Sequence, residues 1–186
     1  KYAVYKYPQT RKKAMKAKKV NLKFFPEGGN LVKGVPSQVA FEATDAYGNP
    51  ITLFGRIINR RKEEIGHFAT IHEGRGVFTY IPTGEDADKA EVELGGKKDR
   101  FDLPEVCSQG YVLHVDNLTS EDSIAVSVQK NTYTPSNLLG LAVIAHGKLL
   151  NSCLLNVGKN TPVSFKLDKS EWTPGVVQLV LFDTAG

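Results

Sequence analysis

From residue 20 onward the chain alternates apolar and polar side chains in short runs. Val20, Leu22 and Phe24 alternate with Asn21 and Lys23; Val39, Phe41 and Ala43 follow Gln38 and enclose Glu42. Ile124, Val126 and Val128 alternate with Ser127 and Gln129, and Val163, Phe165 and Leu167 with Ser164 and Lys166. In an extended chain successive side chains point to opposite sides, so each run gathers its apolar members on one face and predicts a half-buried strand. Turn-forming clusters separate the runs: Pro26-Glu27-Gly28-Gly29, Asp45-Ala46-Tyr47-Gly48-Asn49-Pro50, Glu73-Gly74-Arg75-Gly76, Gly95-Gly96, His146-Gly147-Lys148 and Asn156 to Asn160. No useful window after residue 20 keeps a 3.6-residue apolar period, so very little helix is expected. Short strands broken at this spacing predict an all-β sandwich or barrel.

A weak repeat sets the expected number of units. A strand around Phe78 is followed by Pro82, an acidic turn (Glu85, Asp86, Asp88) and a second strand from Lys89 to Leu94. Val163 to Leu167 is likewise followed by Asp168, Glu171, Pro174 and Gly175, then by Val176 to Phe182. Two copies of one module account for this. The expected division is a basic linker over 1–19, a first β-sandwich over 20–104 and a second over 105–186. The first copy runs on through Gly95-Gly96 to a last strand near Arg100 to Leu103, whereas the second stops at Asp183 to Gly186. The second sandwich is therefore expected to lack its last strand, leaving an unpaired edge, with the native polypeptide continuing past Gly186.

The net charge of +4 suggests a nucleic-acid or membrane partner until its distribution is considered. Lys1, Lys6, Arg11, Lys12, Lys13, Lys16, Lys18 and Lys19 hold eight of the 24 basic residues and no acid lies among them, so the body is mildly acidic. The run lacks the interleaved aromatics and glycines of a base-stacking arm and reads as a solvated linker; no nucleic-acid partner is expected. Ala14 to Ala17 is too short and too charged for a signal peptide's apolar region, and no apolar run reaches membrane-spanning length. Cys107 and Cys153 have no metal-site spacing and read as buried free thiols, with a single disulfide left open.

Residues 20–32, Val-Asn-Leu-Lys-Phe-Phe-Pro-Glu-Gly-Gly-Asn-Leu-Val, continue through Pro36 to Ala43 and Asp45-Ala46-Tyr47-Gly48-Asn49-Pro50-Ile51. This stretch resembles the macroglobulin-like (MG2-type) domains of large Gram-negative envelope proteins, a group that includes alpha-2-macroglobulin-like and TonB-dependent receptor plug-containing chains. Phe101 to Pro104 and Gly110 to Asn117 resemble that family's crossing from one module to the next. The resemblance implies tandem seven-stranded sandwiches of the immunoglobulin or fibronectin-III kind, exported to the cell envelope, in the periplasm or at the outer membrane. One departure matters: protease-trapping macroglobulins carry a Cys-x-Glu-Gln thioester run, and neither Cys107-Ser108-Gln109 nor Cys153-Leu154-Leu155 supplies it.

Other candidate chemistry is sparse. Glu85, Asp86 and Asp88 fit no calcium-loop spacing and read as a solvated turn. His114 and Asp116 share a strand face but lack a nucleophile pattern. His67 and His72 are oddly spaced and would face opposite ways on one strand. Gly28-Gly29 and Gly95-Gly96 lack the helix and Lys-Ser/Thr of a phosphate loop and read as hairpin turns. Tyr47, Phe54, Tyr133 and Trp172 are the candidate ligand-binding residues, because flat aromatic faces stack on sugars, although core packing is the commoner fate of such rings. The expectation is a non-catalytic structural and protein-interaction module of a larger envelope protein, with no cofactor or metal. Its partners would be neighbouring domains of the same chain and an outer-membrane protein or polysaccharide; the alternative is a carbohydrate-binding module.

Overall fold

The computed structural model describes residues 19–84, 88–158, 161–170 and 172–183. The basic run up to Lys18, the acidic pair Glu85 and Asp86, Glu171 and the last three residues lie outside the described residues. All regular structure among the described residues is strand: β1 (Asn21–Pro26), β2 (Leu31–Val32), β3 (Ser37–Thr44), β4 (Phe54–Ile58), β5 (Glu64–Ala69), β6 (Arg75–Tyr80), β7 (Lys89–Leu94) and β8 (Lys97–Asp102) come first. They are followed by β9 (Val106–Cys107), β10 (Tyr111–Asp116), β11 (Ser123–Lys130), β12 (Leu138–Ala145), β13 (Lys148–Asn156), β14 (Val163–Asp168) and β15 (Val177–Phe182).

The strands form two antiparallel sandwiches of one plan. In the first, a sheet of order β1-β3-β6 faces one of order β5-β4-β7-β8. In the second, β10-β11-β14 faces β13-β12-β15. Strand for strand the connections match, and β6 and β7 begin as far apart in the chain as β14 and β15 do. What the second lacks, among the described residues, is a partner for β15 where β8 pairs with β7. The alternation read from sequence is also the observed inside-outside pattern: Val39, Phe41 and Ala43 on β3, and Ile124, Val126 and Val128 on β11, are buried. Val39, Phe41 and Phe78 from one sheet meet Ile57, Phe68, Ala90 and Val92 from the other in a single cluster. Its rings interlock, with Phe41 edge-on to Phe68 at 5.0 Å and Phe24 edge-on to Phe78 at 6.1 Å, contacts that add about 1 kcal/mol each to simple burial. Gly55 makes room for this packing, because a Cβ there would lie 2.2 Å from the Phe68 ring. The second core gathers Ile124, Val126 and Val128 with Leu139, Leu141, Val143, Leu155 and Leu167.

Three polar arrangements hold the first sandwich outside its core. Asp45, at 1% exposure, uses its carboxylate to accept from the amides of Tyr47 (2.9 Å) and Asn49 (3.0 Å), fixing the loop between β3 and β4 as an Asx turn. Tyr80 donates its hydroxyl to Asp88 at 2.6 Å, both residues being buried, and burial with that bond pushes the phenol's pKa well above its usual value. On the outer face of the four-stranded sheet, Glu91 of β7 receives Arg56 of β4 (2.5 Å) and Arg100 of β8 (2.9 Å). The stems of these cations, not the core, cover Glu91, and their hydrogen bonds, Arg56 first, hold its carboxyl down at about 2 from an ordinary 4.5.

The acidic turn does not leave Asp88 solvated; its carboxylate is buried beneath Tyr80. Gly95-Gly96 is a hairpin turn, joining β7 to β8, but Gly28-Gly29 is not. β1 pairs with β3, and the chain leaving Gly29 enters β2, which pairs in parallel with β9.

Removing the Asp45 carboxylate (Asp45→Ala) leaves two loop amides without their acceptor and is expected to cost about 1–3 kcal/mol in denaturant unfolding. Because the carboxyl of Glu91 is depressed in the folded state, its contribution is complete above its ordinary titration range and is lost as pH falls from about 4.5 towards 2. Glu91→Gln should therefore be less stable than the parent at pH 7, with the gap closing in unfolding curves taken at pH 4, 3 and 2.5.

Candidate functional site

The most elaborate polar arrangement lies where the two sandwiches meet. It begins with the turn after β1, in which Gly28 (φ +78°) and Gly29 (φ +93°) adopt left-handed backbone that other residues reach only with strain. The turn aims Glu27 at the second sandwich. Its Oε1 accepts the backbone N–H of Val115 at 2.8 Å and its Oε2 accepts from His114 Nδ1 at 2.6 Å. Gly28 itself comes so close that a Cβ would lie 3.4 Å from the backbone N and O of Leu113. The chain then runs into β2, whose Leu31 and Val32 pair with Val106 and Cys107 of β9. Lys33 N–H extends the pairing to Cys107 O at 3.0 Å, and Val32, Val35 and Val112 close a small apolar cluster beneath it.

The loop after β11 completes the junction. Lys130 continues the inward register of Ile124, Val126 and Val128 and is 1% exposed. Its ammonium donates to Thr134 O (2.7 Å), Ser136 O (3.0 Å) and Asn137 Oδ1 (2.5 Å), which uses all three protons. Asn131 donates its side-chain amide to Ser108 O (2.7 Å) and to Lys33 O (3.1 Å) of the first sandwich. Thr134 Oγ1 accepts from Gly110 N–H and donates to Asn131 Oδ1, each at 2.7 Å. Two linker carbonyls, Ser108 O and Gly110 O, thus accept from side chains of the second sandwich, whereas Cys107 O takes the Lys33 amide of the first.

The four aromatic candidates rest on different supports. Tyr47, at 87% exposure, stands on the loop pinned by Asp45. Phe54, at 61%, lies on β4 and stacks on His67 of β5 at 6.0 Å. Beside it is a shallow cavity of about 250 Å³ walled by Arg56, Glu64, Glu91, Glu93 and Lys98. Tyr133 sits in the junction loop with Lys33 Nζ 6.0 Å from its ring centre. Trp172 is half-buried and packs against the second core.

The remaining sequence candidates have structural partners. His114 is taken by Glu27, while Asp116 accepts from the amides of Leu118 (2.9 Å) and Thr119 (3.0 Å) and from the Thr119 hydroxyl, bonds that hold its carboxyl below the usual range. The two therefore serve different turns and not one proton relay. His72 is exposed in the turn before β6, where it lies 3.8 Å from Glu73, whereas His67 stacks on Phe54. Both cysteines are free, but neither is buried: Cys107 is half-buried in β9 and Cys153 is exposed on β13. Among the described residues no three His, Cys, Asp or Glu side chains gather as a metal site.

No family model and no curated protein matches the chain. Among solved structures it is similar to E. coli alpha-2-macroglobulin in its native conformation, at 13% identity and a TM-score of 0.32, covering 89% of this chain and 13% of that one. It is also similar to the BSP domain of a biofilm-associated protein, at 13% identity and a TM-score of 0.31, covering 90% of this chain and 30% of that one. At these scores neither likeness decides the family, and the chain spans less than a third of either protein.

Glu27→Ala should remove a charge-assisted bond to a backbone amide and cost about 1.5–3 kcal/mol, with Glu27→Gln keeping part of it, while the exposed pairing to His114 adds under about 1 kcal/mol in a double-mutant cycle. Lys130→Met fills the same space but strands three acceptors and should cost at least about 3 kcal/mol. Unfolding curves of the single and double variants check both.

Proposed function

We propose that this chain is a non-catalytic structural and protein-interaction module of a larger exported protein of the Gram-negative cell envelope. The observation that carries the reading is the junction: Lys33 and Asn131, 98 residues apart, are joined side chain to backbone, and Glu27 reaches 88 residues to the amide of Val115. Hydrogen bonds to backbone fix direction as well as distance, so a joint built from them suits a unit that must hold a set geometry under its neighbours. The titratable groups that sequence singles out as acid or base candidates are engaged in this joint or in turns, which favours a scaffold over an enzyme. Neighbouring domains of the same chain, and an outer-membrane protein or polysaccharide, are the partners this reading assigns.

One observation favours carbohydrate binding as the second reading. The Phe54 and His67 rings stack on the outer sheet face beside Arg56, Glu64 and Lys98, giving an apolar platform with donors and acceptors at its rim. Immobilised chain exposed to detergent-solubilised envelope discriminates the two. One protein retained in near-equal amount and displaced by free chain is the expected result. Retention of polysaccharide alone, lost in Phe54→Ala, would replace the scaffold reading with the carbohydrate one, and retention of neither would leave no support for interaction.

A further inference from the structure

Strand β13 parts from the facing sheet along its length. Leu155, Cys153 and Asn151 stand opposite Leu139, Leu141 and Val143 of β12 and share their inward register. The three β12 residues are at most 1% exposed, whereas of the three on β13 Leu155 alone is buried. Where β13 leaves the core, a cleft of about 490 Å³ opens between Leu150 and Asn151 on one side and Lys166, Leu167 and Asp168 of β14 on the other, with Trp172 at its end. That volume lies within the range of about 300–1,000 Å³ usual for small-molecule sites. β10 and β14 are the two edges of one sheet, and β13 and β15 those of the other, so this flank is the one away from β15.

A bulge shapes the β13 wall. Val143 pairs with Asn151 and Ile144 with Leu149, which leaves Leu150 as the extra residue and re-aims this stretch of the edge. The first sandwich repeats the bulge between Ile57 and Ile58, where it presents Ile65 and Gly66, so the backbone device is shared and the side-chain amide is not. The turn after β14 sets the other end: Asp168 accepts from the Ser170 amide at 2.8 Å, and Trp172 N–H donates to Lys169 O at 2.9 Å. Packing on the second core holds the half-buried indole in place. Among the described residues no protein group engages the Asn151 amide, the Lys166 ammonium or the indole N–H, so all three are available to a ligand. Lys166 and Asp168, two residues apart on the exposed side of β14, set its charge. An acidic ligand would meet Asp168 and a basic one Lys166, whereas a neutral hydroxyl group can donate to the carboxylate and accept from the ammonium. We propose that the cleft between β13 and β14 binds a neutral saccharide, with the apolar face of one sugar ring against Trp172 and its hydroxyls on Asn151, Lys166 and Asp168.

The inference deepens the interaction reading by giving a polysaccharide partner its place, and rests on that reading for its biological use. The two fail separately, since sugar binding is read on the purified chain and not on retention from the envelope. Trp172 is the sole tryptophan of the sequence, so its fluorescence reports on this cleft directly. Maltose, cellobiose and lactose are the probes, each titrated onto the chain beside its uronic-acid and amino-sugar counterparts. A saturable change in Trp172 emission is expected with at least one neutral disaccharide, with its charged counterparts bound more weakly. Asn151→Ala and Lys166→Ala, both at exposed positions, should each weaken that binding by about fivefold or more while leaving the unfolding curve in place. Phe54→Ala should leave it unchanged. No saturable change with any of the three disaccharides, binding untouched by both cleft substitutions, or a charged counterpart bound as tightly as the neutral sugar would each overturn the proposal. Loss of binding in Phe54→Ala would overturn it in favour of the platform on the first sandwich.

Discussion

Buried backbone polar groups must find partners, and where the two sandwiches meet that requirement is met by one short parallel pairing and by side chains. The segment from Glu105 to Gly110 is too short to form a layer of its own, so its carbonyls turn to whatever lies on either side. Cys107 O receives Lys33 N–H from the first sandwich and Ser108 O receives Asn131 from the second. Asn131 simultaneously holds Lys33 O, so one amide group ties both sandwiches and the linker together. Lys130 stands behind it, ordering the loop that carries Asn131 and Thr134. The placement of each element at the junction thus depends on a small set of side chains that have no apolar substitute: an amide, a hydroxyl and an ammonium, each with its hydrogen-bonding capacity used.

The outer face of the first sandwich is organised by one carboxylate held between strands. Glu91 is held by cations from the strands on both its flanks, β4 and β8. A buried carboxylate of this kind is tolerable only where a neighbour stands on each side, since one cation would leave half its acceptor capacity unmet. Among the described residues β15 pairs with β12 alone, and its six residues carry no charge.

The strands and their facing were legible in the sequence because a half-buried strand writes its burial directly as alternation, as in Val39-Phe41-Ala43 and Ile124-Val126-Val128. The junction was not, for reasons that can be named. Glu27 and His114 lie 87 residues apart, and no local pattern reports a contact of that separation. Glu27 reads locally as part of a glycine-rich hairpin because its glycines serve a turn, and nothing local says that the strand after the turn pairs with a linker instead of with β1. Lys130 did carry a signal: counted in steps of two from Ile124, it falls on the inward face, and an inward lysine calls for several acceptors nearby. Composition groups Asp88 with its acidic neighbours, whereas its partner, Tyr80, comes from the preceding strand.

The same separation explains why the aromatic candidates did not resolve into one site. A ring read from sequence declares its size but not its support. Trp172 lies against the second core and Tyr133 belongs to the junction loop beneath Lys33, so of the four candidates Tyr47 and Phe54 are presented by the first sandwich, and among the described residues Phe54 alone of these two has a second ring beside it. Flat recognition of a sugar needs a platform with polar groups at its rim, whereas a scaffold needs its joints fixed. The chain commits far more hydrogen-bonding capacity to the joint than to the Phe54 platform, whose charged groups Arg56 and Glu91 are already bonded to each other. That distribution of polar groups, more than the fold itself, is what favours a structural and interaction role over ligand capture.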